Sequence, residues 1–288
     1  MKIAFIGLGI MGREMALHLA KHDVDLTVYN RTQKDFSELK KEGVILAKSV
    51  QDAVKDADIV FSMLSTPEAV SEVFMKEDGA LTFMKSNAIW ADCSTVNPSF
   101  SKEAFKKAKA HGIRFLDSPV SGSKPQARNA ELIFFVGGDK AVLDDVEPYI
   151  NMMSKKLIHV GDTGKGTSLK MLVNVMLAQS MLIFSEAVLF GEKMGIDKDF
   201  LLDLLPGLVV SAPFTKFKAE GIKKDQYDVQ FPLEWMHKDL HLAALTAYEV
   251  NQPMYIANVA KEVYASAKKQ DMARLDFSAI YRYLEQSK

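Results

Sequence analysis

The chain has 288 residues, 48% of them hydrophobic and 25% charged, with a formal net charge of −1. That composition suits one large or two modest globular domains and excludes an intrinsically disordered chain. The charge balance argues against a polyanionic partner, so no nucleic acid is expected; the clusters Lys106-Lys107-Lys109, Lys155-Lys156 and Lys223-Lys224 read as solvated helix faces. Cys93 is the only cysteine, so no intrachain disulfide can form, in keeping with a reducing compartment. The opening run Met1-Lys2-Ile3-Ala4-Phe5-Ile6 leads straight into a glycine loop without a signal-peptide pattern, and a cytoplasmic protein is expected.

In chain order, β-rich runs are expected at 2–6, 25–29, 44–46, 58–64, 87–92 and 114–117. Amphipathic helical stretches lie between them, for example at 10–21, 67–74 and 98–110. This alternation predicts right-handed crossovers and a parallel sheet covered on both faces. A further run at 131–136, followed by Gly137-Gly138, is expected to extend the sheet as an edge hairpin with 157–160. After Gly166 the strand signals stop. One long helix is predicted from Lys165 to Lys193, then a helical bundle to the C-terminus with breaks at Pro206, Pro213, Pro232 and Pro253. The apolar run 171–190 approaches the length of a membrane span, but it carries Asn174, Gln179, Ser180, Ser185 and Glu186. A helix buried between two domains is the expectation, with no membrane partner.

Gly7-Leu8-Gly9-Ile10-Met11-Gly12 has the spacing G-x-G-x-x-G, and it follows a strand and opens a helix. In that context Gly7 permits the tight turn, Gly9 lets the backbone approach a pyrophosphate, and Gly12 allows helix and strand to pack closely. The helix N-terminus then offers N–H donors to the phosphates. The second strand ends in Tyr29-Asn30-Arg31-Thr32, with no acid to bond a ribose 2′-hydroxyl. Arg31 can pair with a 2′-phosphate and Thr32 can add a hydroxyl, which favours NADP(H) over NAD(H); otherwise Arg31 is an exposed loop cation. The expected fold is an α/β Rossmann-type doubly wound domain (1–163), a long interdomain helix (164–193) and an all-α domain for substrate binding and oligomerisation (194–288).

Three downstream stretches join the glycine loop: Asp92-Cys93-Ser94-Thr95-Val96-Asn97-Pro98, Asp117-Ser118-Pro119-Val120-Ser121-Gly122-Ser123, and Gly164-Lys165-Gly166-Thr167-Ser168-Leu169-Lys170 with Asn174. Together, in this order and across essentially the whole chain, they resemble the β-hydroxyacid dehydrogenases. Asn30-Arg31-Thr32, Ser121-Gly122-Ser123-Lys124, Phe231-Pro232-Leu233 and Lys238-Asp239-Leu240 look most like the glyoxylate/succinic semialdehyde reductases. The resemblance implies an NADPH-dependent reductase of a small carboxylate-bearing aldehyde, 2-oxo acid or hydroxyacid, and the apolar long helix with the Met-rich C-terminal half suggests a homodimer or homotetramer. The alternatives are a 3-hydroxyisobutyrate or related dehydrogenase using NAD(P), or a non-catalytic nucleotide-binding homologue. A decarboxylating sugar-acid dehydrogenase would have a longer helical domain, and imine reductases usually replace the lysine.

Lys170 matches the family's catalytic lysine, a positioned ammonium that stabilises and protonates an alkoxide as it forms. Asn174, at i+4, shares its face and can hold the lysine or bond the substrate oxygen. Ser121, Gly122 and Ser123, at a strand's C-terminal end, could cradle a carboxylate with N–H groups and hydroxyls, or form a simple turn. By resemblance, Thr95 contacts nicotinamide and substrate, and Phe231 caps the pocket. Lys238 reaches the cofactor, and Asp239 orients substrate or Lys170. Leu64-Ser65, ending the fourth strand, is expected to pass along the cofactor, with Cys93 nearby and without a chemical role.

His237 and His241 have H-x-x-x-H spacing, but Asp239 points nearly opposite and no further ligand pattern accompanies them, so no metal site is expected. One departure stands out: the family usually has glycine where this chain has Ala130, a change expected to alter a turn rather than the chemistry.

Overall fold

The computed structural model describes residues 1–32 and 34–286. They divide into two compact units, Met1–Met171 and Leu172–Lys288. The first unit is built on strands β1 (Lys2–Ile6), β2 (Asp25–Tyr29), β3 (Ile45–Leu46), β4 (Ile59–Ser62), β5 (Ile89–Asp92), β6 (Arg114–Asp117), β7 (Val120–Ser121), β8 (Leu132–Gly137) and β9 (Ser154–Gly161). Its helices are α1 (Gly12–Ala20), α2 (Ser37–Lys41), α3 (Val50–Val54), α4 (Pro67–Val70), α5 (Ala80–Phe83), α6 (Pro98–Ala110), α7 (Lys124–Arg128) and α8 (Lys140–Asn151). Helix α9 (Lys165–Lys193) runs from the first unit into the second, which adds α10 (Lys198–Leu204), α11 (Thr215–Lys223), α12 (Leu233–Glu249), α13 (Tyr255–Ala267) and α14 (Ile280–Gln286).

The strand order is β3-β2-β1-β4-β5-β6-β8-β7, with β9 paired to β8. From β3 to β6 every pair is parallel. Parallel neighbours need helical crossovers, which cover both faces and bury the strands; all four residues of β4 and β5 are buried, apolar except for the terminal Ser62 and Asp92. Side chains alternate between two core layers. Ile3, Phe5 and Phe61 join Met15 and Leu19 on one face; Ala4, Ile6 and Val60 join Val54, Phe74 and Trp90 on the other. The order reverses between β1 and β4, which makes the carboxyl ends of these two strands the topological switch point where such sheets receive ligands.

Two expectations change. The run 157–160 belongs to β9, which pairs parallel to β8 and returns through α8, so the predicted edge hairpin is instead a β-α-β crossover. The antiparallel partners of β8 are β7 and the end of β6. Glycines followed by a short run resemble a hairpin turn, but the amphipathic stretch 140–151 between them supplies a full crossover helix. The long helix spans the residues expected, and the compact units part at Met171/Leu172, inside it. Its start, Gly164 and Thr167 in the first turn, is tied into the sheet domain by hydrogen bonds to Asp117. The helix is also less buried than expected: Leu172 is 59% exposed, Met176 69%, Ile183 63% and Phe190 66%, and it is long and apolar enough to cross a membrane.

Candidate active site

The glycine loop sits directly on β1. Gly7 has φ +98°, and a Cβ there would stand 2.4 Å from the Met63 carbonyl oxygen. At Gly12 a Cβ would stand 2.0 Å from the Gly7 carbonyl oxygen, so both positions exclude any side chain. Gly9 differs: a Cβ there would meet nothing within 4 Å. It is an exposed, side-chain-free opening over which a ligand backbone can lie. Helix α1 begins at Gly12, with no side-chain cap from Met11, so its terminal N–H groups are not claimed by a capping side chain. Asn30 Oδ1 accepts the Leu8 N–H at 2.9 Å while its Nδ2 donates to the Thr32 carbonyl at 2.6 Å, locking the β2 end onto the glycine loop. Leu8 is buried and Met11 half-buried; Ile10, Arg31 and Thr32 are exposed. The loop and the strand end together fit a dinucleotide.

At the ends of β4 and β5 the structure holds a buried network that the motifs did not announce. Trp90 Nε1–H donates to Ser62 Oγ at 2.8 Å, and Ser62 Oγ–H donates to Asp92 Oδ1 at 2.7 Å. The Ser94 N–H reaches the same carboxylate at 3.1 Å, and Ser94 Oγ accepts the Leu64 N–H at 2.9 Å. The chain leaving β4 at Leu64-Ser65 and the chain leaving β5 towards Thr95 are therefore cross-linked by side chains. Leu64 and Thr95 are half-buried and Ser65 exposed, beside the switch point. Burial pushes the Asp92 carboxyl up to about 6 against the bonds from Ser94 and Ser62, with the Asp117 charge adding to the rise. Burial also pushes the Cys93 thiol up, and Cys93 packs fully buried in the core as an unreactive thiol.

The 121–123 loop leaves the short strand β7. Gly122 has φ +123°, and Ser123 gives both its N–H and its Oγ–H to Gln126 Oε1, each at 2.9 Å, as the cap of α7. Ser123 thus holds the turn in shape, with Ser121 half-buried and Gly122 exposed before it. Ala130, which ends this segment, has φ +54°, the left-handed conformation glycine favours. Lys170, 8% exposed, lies on the buried face of α9 with Thr167. Asp117 accepts hydrogen bonds from the Gly164 N–H (2.7 Å), the Thr167 N–H (2.8 Å) and Thr167 Oγ1 (3.0 Å), while burial pushes its carboxyl upward.

In the second unit, Asn174, 2% exposed, donates from Nδ2 to Asp239 Oδ2 at 2.5 Å. Because a carboxylate only accepts, this bond fixes the amide orientation and leaves Asn174 Oδ1 buried without a hydrogen-bond partner. Lys238 Nζ stands 2.9 Å from Asp239 Oδ1 as an ion pair, outside hydrogen-bonding geometry. Phe231 is held through its backbone: its N–H donates to Asp276 Oδ2 at 3.1 Å and its carbonyl accepts from the Phe277 N–H at 2.9 Å. The same buried carboxylate pairs with Lys218 at 2.8 Å. Asp276 and Lys218 carry no motif of their own, and only their three-dimensional meeting identifies them. His237 is half-buried and His241 exposed on α12; burial, then the Lys268 and His241 charges, hold His237 below the usual imidazole range. Among the described residues no group of three His, Cys, Asp or Glu side chains converges.

Comparison with known proteins matches these features. Residues 2–161 match the NAD binding domain of 6-phosphogluconate dehydrogenase, and residues 164–284 match the NAD-binding domain of NADP-dependent 3-hydroxyisobutyrate dehydrogenase. The chain is 34% identical to glyoxylate/succinic semialdehyde reductase 2, chloroplastic, of Arabidopsis thaliana over 286 residues, covering 99% of this chain and 80% of that protein. It is 33% identical to reductase 1 of the same plant, covering 97% of both. The 3-hydroxyisobutyrate dehydrogenase of Mycobacterium tuberculosis, solved with L-serine, superposes with a TM-score of 0.88 at 30% identity over 98% of each chain. With its glycine loop, its ordered motifs and matches over nearly its whole length, the chain belongs to the 3-hydroxyisobutyrate dehydrogenase-like family of NAD(P)-dependent oxidoreductases.

Proposed function

We propose that the protein is an NADPH-dependent reductase of short carboxylated aldehydes or 2-oxo acids, with glyoxylate and succinic semialdehyde as the first substrates to assay. The carrying observation is Lys170, an ammonium on a buried helix face, followed one turn later by Asn174 with an open acceptor. Gly7 to Gly12, Asn30, Arg31, Thr32, Leu64, Ser65 and Lys238 would hold the coenzyme, which when bound supplies the hydride for the carbonyl carbon. Ser121 and Gly122 hold the substrate carboxylate, and Thr95 lies beside the carbonyl. Lys170 donates a proton to the carbonyl oxygen as it becomes an alkoxide, and Asn174, anchored on Asp239, offers its Oδ1 to the lysine or the substrate hydroxyl. In reverse, the same residues would accept the proton of a β- or γ-hydroxyacid. Preference for NADP rests on Arg31 and Thr32 at the exposed β2 end, where an acid would select NAD.

A second copy of the chain is proposed to cover the open side of α9. Leu172, Met176, Ile183 and Phe190 fall within about 40° of one line along the helix, opposite Lys170 and Asn174. The test of the reaction is a panel of carboxylated aldehydes and 2-oxo acids followed by coenzyme absorbance with NADPH and NADH. Turnover of a short carboxylated aldehyde or 2-oxo acid with a lower KM for NADPH is expected. No turnover of any such acid overturns the substrate class, and a clear NADH preference overturns the coenzyme.

A further inference from the structure

The anchoring of α9 involves parts of the first unit that come from three different site segments. Strand β6 ends at Asp117 and leads within four residues to Ser121. Strand β5 leads through Thr95 to α6, which carries Ser101. Helix α9 carries Thr167 and, three residues later on the same face, Lys170. The Asp117 carboxylate bonds the start of α9, and Thr167 passes the chain of bonds on to Ser101 of α6.

Asp117 acts there as a remote cap. Its Oδ1 accepts the Gly164 N–H at 2.7 Å, and its Oδ2 accepts both the Thr167 N–H at 2.8 Å and the Thr167 hydroxyl at 3.0 Å. Since Thr167 Oγ1 donates to Asp117, it must accept from Ser101 Oγ, 2.9 Å away, which extends the chain of bonds to α6. Asp117, Thr167 and Ser101 are each 1% exposed, so water does not compete for these bonds. The surrounding backbone leaves no slack. A Cβ at Gly166 would stand 2.4 Å from the Phe135 carbonyl oxygen, and one at Gly137 would stand 2.5 Å from Asp117 Oδ1. The helix start is therefore pressed against β8 and β6 through two positions that only glycine can fill.

A lysine side chain is long and flexible, and what fixes its ammonium is the placement of the helix beneath it; a displacement of about 1 Å in a reacting group can cost about 100-fold in rate. We propose that Asp117 is a positioning residue for Lys170: it sets the start of α9 and so the place of the lysine relative to the Ser121–Ser123 loop, which follows β6 by way of the short strand β7. This rests on reading Lys170 as the proton donor and the 121–123 loop as the carboxylate cradle.

The test is a double-mutant cycle of Asp117→Asn with Lys170→Met, using glyoxylate or succinic semialdehyde and NADPH, with NADPH dissociation constants and thermal midpoints measured on every variant. Asp117→Asn keeps the side-chain shape but places an amide donor against donors. It is expected to lower kcat about 10- to 100-fold with NADPH affinity within about twofold, and to add less than about twofold to the loss in Lys170→Met. Thr167→Val removes one of the three bonds and is expected to show the same pattern at about three- to fivefold, which keeps the test decisive if Asp117→Asn does not fold. Near-normal kcat in Asp117→Asn and Thr167→Val beside a large loss in Lys170→Met overturns the positioning role and leaves the proposed reaction standing. Losses that multiply in the double variant also overturn it, since Asp117 then acts independently of the lysine. Near-normal kcat in Lys170→Met overturns the proposed reaction and the positioning role together.

Discussion

Arg31 stands exposed at the end of β2, on a turn that Asn30 ties to the glycine loop. A charge-assisted bond to a phosphate is worth about 1.5–3 kcal/mol. Arg31→Ala is therefore expected to raise the KM for NADPH about 10- to 100-fold and to leave that for NADH nearly unchanged, as read from coenzyme saturation curves. Asp92 makes a separate statement about pH. Burial raises its carboxyl from 3.8 to about 6 in the folded protein, so the native state holds this proton over a range where the unfolded chain has lost it. The contribution of Asp92 to folding stability is then fully present below about pH 4 and is lost as the pH rises through about 6. Both donors reach Oδ1, so Asp92→Asn can imitate the protonated acid. The variant is expected to exceed the wild type in denaturant stability by about 1–3 kcal/mol at pH 7, with the difference vanishing near pH 4. Ala130 carries a Cβ in the left-handed region at φ +54°, where each such residue costs about 1–2 kcal/mol. Ala130→Gly should recover part of that, about 0.5–1 kcal/mol in denaturant unfolding, with turnover unchanged.

At the scale of elements, strong local signals were readable from sequence and weakly marked meetings were not. The strand–glycine–helix start, the alternation through β6 and the helix Lys165–Lys193 follow from periodicity and from breakers at their ends. The β8–β9 pairing is not legible in the sequence, because a parallel partner lies a helix away and leaves no turn signature. Among site residues, the motif positions Gly7 to Gly12, Asn30 and Lys170 carry their own signals, and the structure adds the reason for Asn30, a side-chain bridge to Leu8. The N–H and hydroxyl of Ser123 bond Gln126, a role that the serine–glutamine spacing of a capping box encodes. Asp276 and its bonds to Phe231 and Lys218 join residues 45 and 58 positions apart, a separation at which no sequence pattern operates.

At the scale of the molecule, α9 presents one face of polar site residues and an opposite face of exposed apolar ones. Monomeric proteins rarely leave a contiguous apolar surface of this kind open to water, and a second copy would cover it. Light scattering on the purified protein is expected to give a dimer or tetramer, and Met176→Glu with Phe190→Glu to shift it to a smaller species; a wild-type monomer would contradict this. In the proposed reaction the buried Lys170 is what turns a dinucleotide-binding fold into a carbonyl reductase. The most direct test of that role is the single-site comparison of wild type and Lys170→Met in NADPH-coupled turnover of glyoxylate and succinic semialdehyde, with NADPH affinity measured in parallel. A fall in kcat of about 10²–10⁴-fold with coenzyme affinity retained is expected; turnover within a fewfold of wild type would rule out Lys170 as the proton donor.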